Sequence, residues 1–235
     1  MCNRGLIRKA SKAAAVLAAT VVVGACGGSP QARSITVTFI RHAQSEANAS
    51  GTINTEVPGP GLSPEGKGQA EQLAHGRHDF DSVYASTMVR AQQTAAPLAA
   101  ELGEQVEVLP GLQEINAGWF NGKPETMAPS TYLLAPADWL NGDVQDRIPG
   151  SVSGTEFNKQ FTAAIRKIYD SGHRNPVVFS HLYSIEYWTL MNTKNAKDSL
   201  AASHPLPNIG RVVVTGNPTT GWTLVDWDGI RNFSG

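Results

Sequence analysis

Two stretches of the chain place a histidine directly after an apolar run of the kind found in buried strands. The first run, Ile35–Ile40, stops at Arg41 and His42, and the second, Pro176–Ser180, stops at His181. Open α/β sheets bind their ligands at the carboxyl ends of the strands. We therefore expect both histidines at that edge of a sheet, with Arg41 beside the first.

An arginine next to a histidine suits the chemistry of a phosphoryl group. A guanidinium offers planar, bidentate hydrogen bonds to phosphate oxygens, and a neutral imidazole nitrogen can attack phosphorus. The residues after His42 are polar and include Ser45 and Asn48, as expected for a turn or helix start whose free N–H groups attract an anion. A second arginine, Arg90, stands one turn into a predicted helix that follows a short strand at Ser82–Ala85, with Ser86 or Thr87 as its expected cap.

The segment Arg41–Asn48 reads R-H-A-Q-S-E-A-N and resembles R-H-G-x-[ST]-x-x-N, the signature of the histidine phosphatase superfamily, the phosphoglycerate mutase-like enzymes. Four later segments resemble further elements of that family in the expected order, and together they extend the resemblance from Ile35 to Val214. They are Leu62–Ala70 (L-S-P-E-G-K-G-Q-A), Ser86–Ala95 (S-T-M-V-R-A-Q-Q-T-A), Leu112–Gly118 (L-Q-E-I-N-A-G) and the strand with Ser180-His181.

The resemblance implies a role for each residue of the site. By it, His42 is the nucleophile, Glu114 the proton donor and His181 the second catalytic histidine. Arg41, Arg90, Ser45 and Asn48 bind the phosphate of a small phosphorylated substrate. The expected reaction needs no metal and no cofactor. The two arginines should also disfavour a positive charge on His42.

Several residues indicate which branch of the family this chain resembles. Ala43 and Leu182 stand where the family has glycine, and the missing His-Asp pair points to the branch without that motif. The Ile115–Ala117 stretch after Glu114 looks more like the phosphatases than the mutases. We expect a phosphomonoesterase that acts through a phosphohistidine. Two alternatives remain open: a phosphomutase of the phosphoglycerate mutase type, and a catalytically weak phosphate-binding protein of the cell envelope.

The resemblance also implies the fold, an α/β three-layer sandwich with a mostly parallel central sheet and helices on both faces. Local signals agree, because Ser63-Pro64 and the capping box Ser153–Glu156 each predict the start of a helix. Residues 193–210 read as loop, and residues 211–215 and 222–226 as a closing pair of strands. The aperiodic segment 123–154, rich in Pro and aromatic residues, is expected to lie over the active site.

The N-terminus has the features of a bacterial lipoprotein signal. Four basic residues precede an apolar run at residues 13–23, which is too short to span a bilayer, and the stretch Val23–Cys26 resembles a lipobox. We expect a signal peptide at residues 1–25, lipidation of Cys26, a flexible tether at residues 26–34 and a histidine phosphatase domain at residues 35–235. The predicted location is the extracytoplasmic side of the cell membrane.

Charge and cysteine content narrow the chemistry. Removal of residues 1–25 lowers the count of basic residues from 19 to 15 against 20 acidic residues, so the mature chain has a net charge of about −5. That balance argues against nucleic acid as a partner. Cys2 would leave with the signal and Cys26 would be acylated, so no free thiol remains for catalysis or for a zinc site.

Overall fold

The computed structural model describes Met1, residues 32–76 and residues 78–233. The chain divides into two compact units, Met1–Gln31 and Ala32–Gly235. Apart from Met1, the predicted signal peptide and Cys26 lie outside the described residues, as does the tether up to Gln31. Within residues 32–76 and 78–233, no helix has both the length and the apolarity to cross a bilayer.

The second unit alternates strands and helices, with three short 3-10 turns between Pro110 and Ser130. Its regular elements are β1 (Ile35–Arg41), α1 (Glu46–Ala49), α2 (Pro64–Ala74), β2 (Ser82–Ala85), α3 (Val89–Leu102), β3 (Val106–Val108), α4 (Leu134–Leu140), α5 (Gly154–Asp170), β4 (Pro176–Ser180), α6 (Leu182–Asn192), α7 (Ser199–Ser203), β5 (Arg211–Asn217) and β6 (Gly221–Trp227).

The strands form one mixed sheet in the order β3-β2-β4-β1-β5-β6. The pairs among β3, β2, β4 and β1 are parallel, whereas β5 runs antiparallel to both of its neighbours. The expectation of a mostly parallel sheet is therefore confirmed. The parallel part brings the carboxyl ends of β1, β2 and β4 to one edge, where the polar residues that follow each strand must meet.

Helices cover both faces of the sheet, as expected for a three-layer α/β fold. Alternate residues of β1 point to opposite faces: Phe39 packs with the aromatic side chains Phe161 of α5 and Trp188 of α6, and Ile40 belongs to the core beneath α2 and α3. On the α2 and α3 face, the described residues form a groove that is lined in part by Val213 and Val225 of the antiparallel pair.

Local signals located most helices correctly. The side chain of Ser63 caps α2, and Ser153 and Glu156 form the expected capping box of α5. Two expectations were wrong. The segment 193–210 contains α7, and the N-cap residue of α3 is Met88, so neither Ser86 nor Thr87 caps that helix. Ser86 has a different role, described below.

Candidate active site

The sheet brings His42 and His181 together at the carboxyl ends of adjacent strands. Arg41 is paired in register with Ser180, and the His42 N–H donates to the Ser180 carbonyl at 3.0 Å. The two rings then lie with their centroids 5.1 Å apart, and both residues are buried. This is the arrangement expected from the two apolar runs that end in histidine.

Hydrogen bonds assign the tautomer of His42. Arg90 Nε lies 3.0 Å from His42 Nε2, and because a guanidinium can only donate, Nε2 must accept. His42 Nδ1 lies 2.7 Å from the Ala43 carbonyl, which can only accept, so Nδ1 carries the proton. The imidazole is therefore neutral, and the lone pair of Nε2 faces the guanidinium of Arg90.

The electrostatic surroundings keep that imidazole neutral. Burial lowers the pKa of His42 well below its ordinary value, and the charges of Arg90 and Arg41 lower it further. The expected effect of the arginines is present, although loss of hydration is the larger cause. A neutral imidazole retains the lone pair that a nucleophile needs.

Hydrogen bonds to the segment 206–210, which lies more than 160 residues further along the chain, fix the position of Arg41. Its Nη1 donates to the Leu206 carbonyl at 2.7 Å. Its backbone N–H donates to the Gly210 carbonyl at 2.9 Å, and Asn208 Nδ2 donates to the His42 carbonyl at 3.0 Å. These bonds fix the direction of the guanidinium and leave Arg41 Nε for another acceptor.

Arg90 approaches His42 from the first turn of α3. Its Nη2 donates to the Asn54 carbonyl at 3.2 Å, and Thr94, one turn later, accepts the Ala43 N–H at 3.0 Å. Burial lowers the pKa of Arg90 to about 10, with a smaller contribution in the same direction from Arg41. The guanidinium thus remains charged at neutral pH.

Ser86 holds His181 instead of capping α3. Its Oγ lies 2.7 Å from His181 Nε2 and also accepts the Met88 N–H at 3.2 Å. We assign the hydroxyl proton to the bond with Nε2, which places the ring proton of His181 on Nδ1. Burial and the nearby Arg90 lower the pKa of His181 well below its ordinary value, so this ring is also neutral.

Three buried nitrogen donors around His42 have no hydrogen-bond partner among the described residues. They are Arg41 Nε, Arg90 Nη1 and His181 Nδ1. Leaving a buried donor unpaired costs roughly 1–3 kcal/mol, and more for a charged group. Three such donors on side chains gathered at one sheet edge indicate a site that is completed by an anion with several acceptor oxygens.

Glu114 lies on the same cleft, with its two oxygens in different surroundings. Oε1 accepts from the N–H groups of Ile115 and Ser184 at 3.0 and 2.9 Å, whereas Oε2 has only a longer contact of 3.3 Å with the Tyr183 N–H. Burial raises the pKa of Glu114 despite these bonds and despite Arg90. A raised pKa and a less occupied oxygen suit a group that gives and takes a proton.

Ser45 and Asn48 line the cleft and also build the start of α1. Ser45 Oγ accepts the Asn48 N–H, and Asn48 Oδ1 accepts the Ser45 N–H, both at 3.2 Å, as a reciprocal capping box. With its oxygen engaged in this way, the amide nitrogen of Asn48 is the polar group left for a ligand. The sequence predicted their place in the cleft but not this mutual bond.

The two positions where the chain departs from glycine differ in their consequences. The methyl group of Ala43 is fully buried in a small cluster with Leu62 and Ala70, away from the residues that line the cleft. Leu182, by contrast, lines the cleft as the first residue of α6. Only Leu182 therefore changes the shape of the site.

Other residues of the cleft were not predicted. Glu125 and Tyr132 come from the segment 123–154, whose residues 133–154 are not part of the cleft lining, and Tyr183 comes from α6. Glu186, one turn further along α6, is buried, and its Oε1 accepts the Leu206 N–H at 2.9 Å. The backbone of Leu206 thus links the two side chains, since its N–H donates to Glu186 and its carbonyl accepts from Arg41. Burial raises the pKa of Glu186 to about 8.

Across the part of the chain that the structure describes, no group of three or more His, Cys, Asp or Glu side chains is placed to hold a metal ion. The cleft around His42 has an empty volume of about 430 Å³. Its polar lining is dominated by the donors described above and by the two carboxylates.

Comparison with known proteins agrees with this geometry. The sequence model of the histidine phosphatase superfamily (branch 1) matches residues 37–228. The PE-PGRS family protein PE_PGRS11 of Mycobacterium tuberculosis is 44% identical over 222 residues, which are 87% of this chain and 38% of that protein. The chain thus spans well under half the length of this relative. The adenosylcobalamin/alpha-ribazole phosphatase of Escherichia coli is 30% identical over 61% of this chain and 71% of its own length.

Solved structures show the same fold. The mycobacterial glucosyl-3-phosphoglycerate phosphatase superposes with a TM-score of 0.69 at 20% identity, and the match covers 84% of this chain and 100% of that one. The superfamily model spans the strands that carry His42 and His181 and the helix that carries Arg90. The chain therefore belongs to the histidine phosphatase superfamily, with phosphatases among its relatives.

Proposed function

We propose that this protein is a phosphomonoesterase that acts through a phosphohistidine intermediate on His42. The observation that carries the proposal is the set of three unpaired buried donors, Arg41 Nε, Arg90 Nη1 and His181 Nδ1, beside an unprotonated His42 Nε2. A phosphate monoester offers the oxygens that these donors lack, and its phosphorus would then lie in front of the nucleophile.

Substrate binding would also free the nucleophile. In the structure the lone pair of His42 Nε2 accepts from Arg90 Nε. A phosphate dianion is a stronger acceptor than a neutral imidazole, so the guanidinium would turn its N–H groups to phosphate oxygens. The bond from His42 Nδ1 to the Ala43 carbonyl keeps the ring oriented and would stabilise the positive charge that develops on attack.

In the first step the Nε2–P bond forms as the P–O bond to the alcohol breaks, and protonated Glu114 gives its proton to the departing oxygen. The guanidinium groups stabilise the charge on the equatorial oxygens. In the second step the Glu114 carboxylate takes a proton from water, the water oxygen attacks phosphorus, and the Nε2–P bond breaks. Inorganic phosphate leaves, and Glu114 is protonated again.

The proposal includes a location: a lipid anchor on Cys26 at the extracytoplasmic side of the cell membrane. It is supported by the basic N-terminal flank, the short apolar run and the small residues before Cys26. The substrate is then a small phosphorylated molecule outside the cytoplasm. Incorporation of labelled palmitate into the full chain, compared with Cys26→Ser, tests the anchor.

A catalytically weak phosphate-binding protein is the second candidate, and Leu182 favours it. This side chain reaches the cleft at a position where the family has glycine. If it displaced one donor from the phosphate, the rate could fall by about 10² to 10³, by analogy with the loss of an oxyanion-hole donor.

Hydrolysis of p-nitrophenyl phosphate by the full chain in detergent and EDTA tests the function. His42→Ala should abolish turnover, because it removes the nucleophile, whereas His75→Ala at the exposed end of α2 is the matched control and should not. Brief reaction with ³²P-labelled substrate should leave an acid-labile, base-stable label on the wild type and on His75→Ala but not on His42→Ala. Absence of turnover and label with vanadate binding retained would support the binding protein, and transfer of phosphate to an alcohol in place of water would support a mutase.

A further inference from the structure

The cleft lining includes side chains that have no part in the proposed reaction. Among them are Glu125 and Tyr132 from the segment 123–154, Tyr183 and Leu182 from α6, and Ile53. Because they share the cleft with the phosphate donors, they are the candidates to contact the alcohol of the ester. Their chemistry should therefore select the substrate.

These side chains bring a carboxylate and no positive charge to the cleft. Arg41 and Arg90 supply the only cationic side chains among the described residues that line the cleft, and both serve the phosphate. The carboxylate of Glu125 is half-buried and makes no hydrogen bond or ion pair with another described residue, although its backbone N–H donates to the Gly51 carbonyl. A substrate with a second phosphate or a carboxylate would meet repulsion here, whereas a cation would be attracted.

Two tyrosines that line the cleft with Glu125 strengthen the preference for a cation. The rings of Tyr132 and Tyr183 are in edge-to-face contact, at 84° with centroids 5.9 Å apart, and Tyr132 is buried whereas Tyr183 is half-buried. Burial raises the pKa of both phenols, the charges of Glu114 and Glu125 raise it further, and the charge of Arg41 lowers that of Tyr183. The phenols stay neutral, and an aromatic face attracts an ammonium group.

We propose that Glu125, Tyr132 and Tyr183 form a subsite for an ammonium group, so that the substrate is a phosphomonoester of a small amino alcohol. The inference rests on the proposed phosphatase activity and deepens it. The ammonium would donate to the Glu125 carboxylate and lie against the rings of Tyr132 and Tyr183.

Three esters of similar size test the subsite with the full chain: O-phosphoethanolamine, propyl phosphate with a methyl group in place of the ammonium, and glycerol 1-phosphate with hydroxyls. We expect kcat/KM for O-phosphoethanolamine to exceed that for propyl phosphate by about tenfold or more, since a desolvated cation gains both the carboxylate and the aromatic faces. Glu125→Gln should bring this ratio close to one. Glu56→Gln, an exposed carboxylate outside the cleft lining, is the matched control and should keep the wild-type ratio.

Each possible result either supports or overturns the ammonium subsite. Equal use of propyl phosphate, a preference for glycerol 1-phosphate, or an amine preference that survives Glu125→Gln would overturn the ammonium subsite. If p-nitrophenyl phosphate is hydrolysed in those cases, the phosphatase proposal stands and only the substrate class is wrong. If neither p-nitrophenyl phosphate nor any of the three esters is hydrolysed, both proposals fail.

Discussion

Replacing Gly66 by alanine should damage the active site from a distance, through the turn that follows His42. Gly66 is a buried residue of α2, and a Cβ placed on it would lie 1.9 Å from the carbonyl oxygen of Gln44. That carbonyl accepts the Ser63 N–H at 3.0 Å, and the Gln44 N–H donates to Gln69 Oε1 at 2.9 Å. The absence of a side chain at Gly66 is what lets α2 hold this turn.

The size of the effect follows from the geometry. To restore an ordinary contact of 3.4 Å, the Gln44 carbonyl and the helix must separate by about 1.5 Å. Such overpacking costs roughly 1–3 kcal/mol, and loss of the Ser63 bond about 1 kcal/mol more. The better helix propensity of alanine returns about 1 kcal/mol. We expect a net loss of about 1–3 kcal/mol in the free energy of unfolding.

In Gly66→Ala, kcat/KM should fall by more than the loss in the free energy of unfolding alone would cause. Gln44 is two residues from His42, and a 1 Å misplacement of a reacting group can cost about 10²-fold in rate. Gly68→Ala is a matched control in the same helix, because a Cβ there meets nothing within 4 Å. It should raise the free energy of unfolding by up to about 1 kcal/mol and leave kcat/KM unchanged.

Thermal unfolding and p-nitrophenyl phosphate kinetics on both variants check this reasoning. For a chain of this size a loss of 1 kcal/mol lowers Tm by roughly 2–4 °C. If Gly66→Ala matched Gly68→Ala in both Tm and kcat/KM, the close approach of α2 to Gln44 would not be what positions His42, and the reasoning would be refuted.

Three further predictions concern the charged groups of the cleft. Arg90→Lys keeps the charge but loses the planar set of donors, so kcat/KM should fall by about 10² to 10³ at unchanged Tm; a fall below tenfold would contradict a direct role of Arg90 with phosphate. Glu114→Gln should slow hydrolysis of an alkyl phosphate by about 10² to 10⁴, yet still release a burst of p-nitrophenol, because that leaving group needs no acid; equal loss on both substrates without a burst would argue against Glu114 as proton donor. Glu186 is neutral below its raised pKa of about 8 and ionises above it, where its negative charge would weaken the pull of Arg41 on phosphate, so KM should rise above pH 8 in the wild type and stay level in Glu186→Gln. The same rise in both proteins would assign the effect to another group.

The sequence was most informative where a polar residue follows an apolar strand. Ile35–Ile40 and Pro176–Ser180 could be predicted as strands, and their carboxyl ends located His42 and His181, because parallel strands bring these ends to one edge. Helices with one apolar face, such as α5, were equally clear. Such strands and helices can be predicted because a single buried face and a defined end of the element are local properties of the chain.

The missed features depend on contacts that leave no local pattern. α6 is covered on nearly every side, including Ser184, Glu186 and Thr189, so it has no polar face for a helical period to reveal. Glu186 could be identified only once Leu206 was known to lie between it and Arg41. Glu125 and Tyr132 lie in an aperiodic segment whose path over the cleft is set by packing, with no turn signal that points to it.

The bonds from residues 206–210 to Arg41 and His42 also affect how the protein folds. Arg41 and Leu206 are 165 residues apart in sequence, and His42 and Asn208 are 166 apart. Closing so long a loop is slow, and a chain released before residue 206 would lack the backbone carbonyl that aims Arg41. Phosphate should therefore bind more tightly to molecules in which residues 206–210 have joined Arg41 and His42. Since such a ligand at a hundred times its Kd stabilises the native state by about 2.7 kcal/mol, phosphate would report complete folding and would favour it at equilibrium.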